Sequence, residues 1–106
     1  MNTSFAKRVY ALTNQIPKGN VSTYKHLADA LNTKAYRAVG NALRNNPDAP
    51  RTPCHRVIKH DRTLGGYQGS NDSTNKRALL KAEGVIFSSD GRVDTSCVYA
   101  FNQPTQ

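Results

Sequence analysis

Between Asn45 and Pro53 the chain sets three prolines in nine residues, Asn45-Asn46-Pro47-Asp48-Ala49-Pro50-Arg51-Thr52-Pro53. Each proline fixes φ and removes an amide donor, so neither a helix nor a central strand can run through the segment. It reads as a stiff, ordered loop that parts a helical stretch before it from a mixed stretch after it. With 106 residues, 37% of them hydrophobic, the two stretches must share a core, and the expectation is one domain over residues 1–106.

Before the loop, Phe5, Val9, Leu12 and Ile16 recur at helical spacing with Lys7, Arg8 and Asn14 on the other side, which predicts an amphipathic helix from Thr3 to Thr13. Pro17-Lys18-Gly19-Asn20 ends it, and Val21-Ser22-Thr23 supplies an extended approach with a hydroxyl cap. A second helix is expected from about Tyr24 to Leu31. After the Asn32-Thr33 turn, a third runs from Ala35 to Arg44 with Tyr36, Val39 and Leu43 on one face and Arg37, Asn41 and Arg44 on another. Two short helices joined by a tight turn, the second carrying basic residues outward, resemble a helix-turn-helix. After the loop, Val57-Ile58 reads as strand, and Leu64-Gly65-Gly66-Tyr67-Gln68-Gly69-Ser70 as a loop that lets backbone approach a ligand closely. Thr74 to Glu83 reads as a last helix closed by Gly84, and Val85-Ile86-Phe87 and Arg92-Val93-Asp94 flank an Asp90-Gly91 hairpin signal. The fold class is α+β: a small helical unit around a helix-turn-helix, with a short β element and a C-terminal hairpin, winged-helix-like.

Fifteen Lys and Arg against seven Asp and Glu give a net charge of +8, which favours a polyanionic partner, nucleic acid ahead of an anionic membrane surface. No run approaches the roughly 18 apolar residues of a spanning helix, and the first residues lack a signal-peptide core, so a cytoplasmic or nuclear protein is expected. Two cysteines, Cys54 and Cys97, are too few for a disulfide scaffold.

Cys54 lies in Pro53-Cys54-His55-Arg56-Val57, where an imidazole and a guanidinium flank the thiol and suit a thiolate nucleophile. A buried structural cysteine reads the local sequence equally well. A zinc site built on Cys54, His55 and His60 is weaker, since no second ligand pair accompanies them. Glu83 falls on the apolar face of its helix with Leu79 and Leu80, where a carboxylate needs a partner; it either orients a histidine or reaches solvent at a frayed end beside Lys76 or Arg77. Arg37 reads as a solvated charge or a phosphate contact, and Tyr24 as core or as a hydroxyl offered to a ligand.

Taken in order, Ile16-Pro17-Lys18-Gly19-Asn20-Val21-Ser22-Thr23-Tyr24, Tyr36-Arg37-Ala38-Val39-Gly40-Asn41-Ala42, Asn45-Asn46-Pro47 and Pro53-Cys54-His55-Arg56-Val57 resemble the active-site domain of the O6-alkylguanine-DNA alkyltransferases. Leu64-Gly65-Gly66-Tyr67 and the Lys76 to Gly84 helix extend the resemblance over about residues 5 to 87. It implies that Cys54 takes the alkyl group from guanine O6 in one displacement that consumes the protein. It further implies that His55 activates the thiol through a water, that Glu83 fixes the imidazole tautomer, and that Asn46 orients the thiol and the loop before it. Tyr24 and Tyr67 would flank the extruded guanine, Tyr24 stabilising its departing charge, while Arg37 fills the gap left in the stack. Asn41, Arg44 and Arg56 complete the implied DNA-binding and substrate-binding set. The implied partner is duplex DNA carrying O6-alkylguanine, bound by a monomer with neither metal nor organic cofactor, nucleoid-associated if bacterial and nuclear if eukaryotic.

Three departures bear on that expectation. The family's usual N-terminal ribonuclease-H-like domain has no counterpart in the chain, a feature similar to the alkyltransferase-like lesion sensors, which replace the nucleophile, commonly with Trp, and recruit excision-repair proteins; Cys54 is retained here. The loop after Tyr67 reads Gln68-Gly69-Ser70 where the family tends to have Ser-Gly-Gly. Residues after about Phe87 have no counterpart, and Cys97 has no assigned role.

Overall fold

The computed structural model describes residues 2–47, 51–65 and 74–101. Helix α1 (Asn2–Thr13) turns Val9 fully inward, with Ile16 just beyond its end. Thr13 also lies inside, where its hydroxyl is satisfied by donating to the Val9 carbonyl at 2.7 Å. Strand β1 (Ser22–Thr23) leads directly into α2 (Tyr24–Ala30), and the expected hydroxyl cap is Thr23, whose Oγ1 accepts from the His26 amide at 3.0 Å. Asn32, at φ +59°, makes the left-handed step of the turn before α3 (Tyr36–Arg44).

The third helix departs from expectation at one residue. Val39 and Leu43 are buried as the periodicity requires, but Tyr36 is 43% exposed. Residues 34–38 are all exposed, so the first turn of α3 overhangs the core and Tyr36 is carried out with it. Beyond the loop, a 3-10 turn (Cys54–Arg56) feeds strand β2 (Val57–Ile58), which pairs in parallel with β1, Ser22 beside Val57 and Thr23 beside Ile58. The crossover that parallel pairing demands is made by α2 and α3 themselves. Because successive strand residues face opposite ways, Val57 joins an apolar cluster with Val9, Leu27, Val39, Leu43 and Cys54, while Ile58 joins another with Val21, Leu64, Leu80, Val85 and Val93. The two-stranded sheet is the wall between them.

Helix α4 (Thr74–Ala82) stops in a Schellman turn: the Gly84 amide reaches Lys81 O at 3.0 Å, the Val85 amide reaches Leu80 O at 3.0 Å, and Gly84 sits at φ +95°. Val85 and Leu80 share the second cluster, so this cap is also an apolar contact. The C-terminal hairpin is present in minimal form, one antiparallel bridge between Phe87 and Val93, flanked by Ser88 N to Arg92 O and Asp94 N to Ile86 O, both 2.8 Å. The tail then adds a third extended segment beside β1, with Val21 N to Cys97 O at 2.9 Å and Tyr99 N to Val21 O at 2.6 Å. Phe101 enters the first cluster and stands edge-on to Tyr99. Cys97 is buried, its sulfur facing the Ile86 amide at 3.4 Å, which is a packing role.

Candidate active site

Pro53 stops the loop and Cys54 opens the 3-10 turn that follows it, so the thiol is set by a tight backbone rather than by a long element. The Thr52 carbonyl organises that backbone, accepting from the Cys54 amide and from Asn46 Nδ2, each at 2.8 Å. Asn46 is itself buried just beyond α3, so its amide ties the start of the proline loop to Thr52, two residues before the turn. Cys54 is 5% exposed within the first apolar cluster, with Tyr10 and Tyr24 packed against that cluster.

One step along, the His55 ring is buried and its Nε2 lies 2.9 Å from Glu83 Oε2. Glu83 is the cap residue of α4, fixed by the Schellman turn, and the neighbouring Gly19 comes so near that a β-carbon there would stand 3.2 Å from the Glu83 carbonyl. Arg56 grips the same carboxylate with Nε to Oε1 and Nη2 to Oε2, both 2.9 Å, and sends Nη1 to the Ile16 carbonyl at 2.9 Å. The resemblance placed Arg56 among the DNA-binding residues; the structure turns it inward, because the half-buried Glu83 needs a cation and all three guanidinium nitrogens are engaged. The alternative of Glu83 reaching solvent beside Lys76 or Arg77 gives way to this pairing.

Burial alone would push Glu83 up, but the hydrogen bonds from Arg56 and His55 outweigh it and hold the carboxyl below the usual range. For His55, burial lowers the pKa; the hydrogen bond to Glu83 opposes this, and the charges of Arg56 and Lys76 reinforce it, leaving the ring below its ordinary 6.5. The contact is therefore a hydrogen bond between a neutral imidazole and a carboxylate, not an ion pair. A carboxylate only accepts, so the proton is assigned to Nε2 and the lone pair to Nδ1.

The structure adds a residue that sequence reasoning passed over. Lys76 is 1% exposed, with Nζ donating to the Leu64 carbonyl at 2.7 Å and lying 5.9 Å from the centre of the Tyr24 ring. Burial lowers its pKa to about 8, against the pull of a negative charge on Cys54. Its signal was its register: Lys76 is four residues before Leu80 and seven before Glu83, on the inward stripe of α4. Tyr24 is half-buried, and burial, with the nearby Cys54, raises its hydroxyl pKa while the charge of Arg44 opposes the rise.

Arg37, Asn41 and Arg44 stand exposed on the outer face of α3 with Ala38 between them. Gly40 lies in the same helix, and a β-carbon added to it would meet nothing within 4 Å. The structure thus gathers Cys54, His55, Glu83, Asn46 and Tyr24 around one buried end and leaves the α3 residues outside it. Tyr67 falls outside the described residues. Among the described residues no three His, Cys, Asp or Glu converge as metal ligands, and no helix is long and apolar enough to cross a membrane.

The fold is that of a small winged-helix-like domain, with a buried cysteine next to a histidine that pairs with a carboxylate, and a helix whose outer face carries cations. The chain belongs to the family of the 6-O-methylguanine DNA methyltransferase DNA-binding domain, whose family model matches residues 4–85. It is 48% identical over 84 residues to a methylated-DNA–protein-cysteine methyltransferase of Thermococcus kodakarensis, covering 78% of this chain and 46% of that protein. Like that match, others show the chain spanning about half the length of curated relatives. Among solved structures it is similar to the Mycobacterium tuberculosis OGT in complex with DNA, at 41% identity and TM-score 0.70 over 76% of this chain and 49% of that one. It is also similar to S. pombe Atl1 in complex with damaged DNA containing O6-carboxymethylguanine, at 27% identity and TM-score 0.76, over 92% of this chain and 95% of that one. That coverage takes in much of the tail beyond Phe87, which is thus part of a shared architecture.

Proposed function

We propose that this chain repairs O6-alkylguanine in duplex DNA by transferring the alkyl group to Cys54 in a single turnover. The observation that carries this reading is the buried chain of contacts behind the thiol: a neutral His55 held through Nε2 by a Glu83 that Arg56 keeps ionised. With Nε2 committed to Glu83, Nδ1 is the basic nitrogen, and the thiol proton passes to it through a water. Sγ then attacks the alkyl carbon; the S–C bond forms as the C–O6 bond breaks, and the electron pair stays with guanine, which takes up a proton. Tyr24, kept protonated by its raised pKa, is suited to stabilise the leaving base. The resulting thioether is inert, so each molecule acts once.

On the DNA side, α3 is the face that meets the duplex. Among the described residues nothing would meet a β-carbon on Gly40, and Ala38 is small and exposed, so the helix can approach a groove closely. Arg37 then fills the space left by the extruded base, and Arg44 and Asn41 hold the backbone. Incubation with an oligonucleotide duplex carrying O6-methylguanine should raise the protein mass by one methyl group in place of hydrogen, on the peptide that holds Cys54. In Cys54→Ser that mass change should disappear while duplex binding persists, because an un-ionised hydroxyl is a far poorer nucleophile than a thiolate. Methylation that survives in Cys54→Ser and is lost in Cys97→Ser would move the acceptor elsewhere.

A second reading is favoured by one observation, the near-complete overlap with S. pombe Atl1. Under it the chain holds alkylguanine without transfer and signals to excision repair. Tight binding of the lesion duplex with no change in protein mass would select it.

A further inference from the structure

The helix that carries the exposed cations has to be held at a fixed height over the nucleophile, and its last turn shows how. In a continuing α-helix the Ala42 carbonyl would accept from the Asn46 amide. That amide instead goes to Leu43 O at 3.2 Å, the Asn45 amide goes to Asn41 O at 3.0 Å, and Pro47 forbids any continuation. The Ala42 carbonyl is released by this tightening, and Tyr10 of α1 takes it, its hydroxyl donating at 2.7 Å across 32 residues.

We propose that Tyr10 is a positioning residue that caps the final turn of α3 and thereby fixes the height of the DNA-facing helix over the site. Cys54 itself is held beyond that turn by the Thr52 carbonyl, which accepts from its amide and from Asn46 Nδ2, so the Tyr10 donor sets the helix and leaves the thiol's own anchors in place. The ring belongs to the same neighbourhood, since it packs against the apolar cluster that contains Cys54. Burial, and secondarily a negative charge on Cys54, raise its pKa, so the hydroxyl stays a donor throughout the neutral range. Nothing in the helical periodicity marks Tyr10, because its partner is a backbone atom of a distant helix.

This inference rests on the transfer reading above, and the test separates the two. In the full chain, Tyr10→Phe keeps the ring and deletes only the donor. Hydrogen exchange of the Asn45 and Asn46 amides should accelerate about fivefold, the scale of one lost hydrogen bond. Alkylation of Cys54 by an O6-methylguanine duplex should slow by a similar factor, while alkylation by the free O6-methylguanine base, which makes no use of α3, should stay within about twofold. Unchanged exchange at Asn45 and Asn46, or equal proportional slowing with duplex and free base, overturns the proposal. If the parent chain transfers no alkyl group at all, the functional reading fails, and the exchange rates with duplex affinity still decide Tyr10: faster exchange and weaker affinity support it, and no change in either overturns it.

Discussion

The buried end of α4 and the outer face of α3 treat charge in opposite ways. Behind Cys54, Arg56 and Glu83 meet through two parallel contacts, His55 is locked by a third, and Lys76 is seated on a carbonyl. On α3, the side chains of Arg37, Asn41 and Arg44 make no hydrogen bond to any other described residue. Most of the buried charge is cancelled within the fold, whereas the exposed cations keep theirs. Chemistry needs donors and acceptors fixed before the substrate arrives, since reorganising them at the moment of reaction is costly. A groove-binding face needs the reverse, cations left for an anionic partner to engage. Substitution in the first region should therefore change rate, and in the second, substrate context.

The largest break is expected at Glu83. Glu83→Gln removes the charge that Arg56 and His55 share and lets the amide present either end to the imidazole, so the tautomer is no longer fixed. Alkylation of Cys54 should slow by about 10², within the range of general-base assistance, with duplex affinity little changed. Stopped-time mass spectrometry checks the rate, and equal rates in variant and parent would return Glu83 to a purely structural role. The parent also has a defined acid limit. The folded His55 pKa lies below 6.5, so between that lowered value and 6.5 the unfolded chain binds more protons at this site. The stability that depends on a neutral ring, and with it the proposed transfer, should be intact above 6.5 and be lost as pH falls through the lowered folded value, as read by denaturant midpoints and alkylation rates across that range.

How much of this was legible in the residues divides along the same line. The helix-turn-helix, the Thr23 cap and the Gly84 stop were readable because each is local: periodicity, a hydroxyl before a helix, a glycine after one. Glu83 was visible as an anomaly on an apolar stripe, but its partners were not, because His55 and Arg56 lie 28 and 27 residues away in sequence. Arg56 was misplaced for that reason; an arginine in a short motif looks alike whether it faces a phosphate or a buried carboxylate. Lys76 was missed because a lysine among helix polars is ordinarily solvated, and only its seat on the Leu64 carbonyl beside the Tyr24 ring decides otherwise.

Lys76 sharpens the comparison through pH. Its pKa is lowered from 10.5 to about 8 in the fold, so below about 8 the protein carries an ammonium whose burial costs roughly 3 kcal/mol. Between about 8 and 10.5 the unfolded chain binds more protons here than the folded one, and stability from this site should rise with pH. Lys76→Met should remove that rise and be more stable than the parent at pH 7, as read by denaturant midpoints across pH 7 to 10.5. A flat profile in the parent would mean that Lys76 keeps its full affinity for a proton. The gain in stability is expected to come with slower alkylation, since the ammonium that disfavours folding also interacts favourably with a negative charge on Cys54.

The smallest of these three effects, and the one that tests the exposed face, is expected at Arg37. A phosphate contact and a residue that holds the gap in the stack predict different losses. As a phosphate contact, Arg37→Ala weakens intact and damaged duplexes alike and flattens the dependence of log affinity on log salt by ~0.9. As a gap-filler, its loss lets the extruded base fall back, so alkylation on duplex should drop by about tenfold while alkylation by the free O6-methylguanine base, which needs no extrusion, is unchanged. The second pattern is expected, because Arg37 stands in the first turn of α3, where residues 34–38 are all exposed. Measuring both substrates in parent and variant decides it: an equal proportional loss would make Arg37 one more cation on the face, and an unequal one would show that this region, too, contributes to the reaction, by geometry where the buried end contributes by charge.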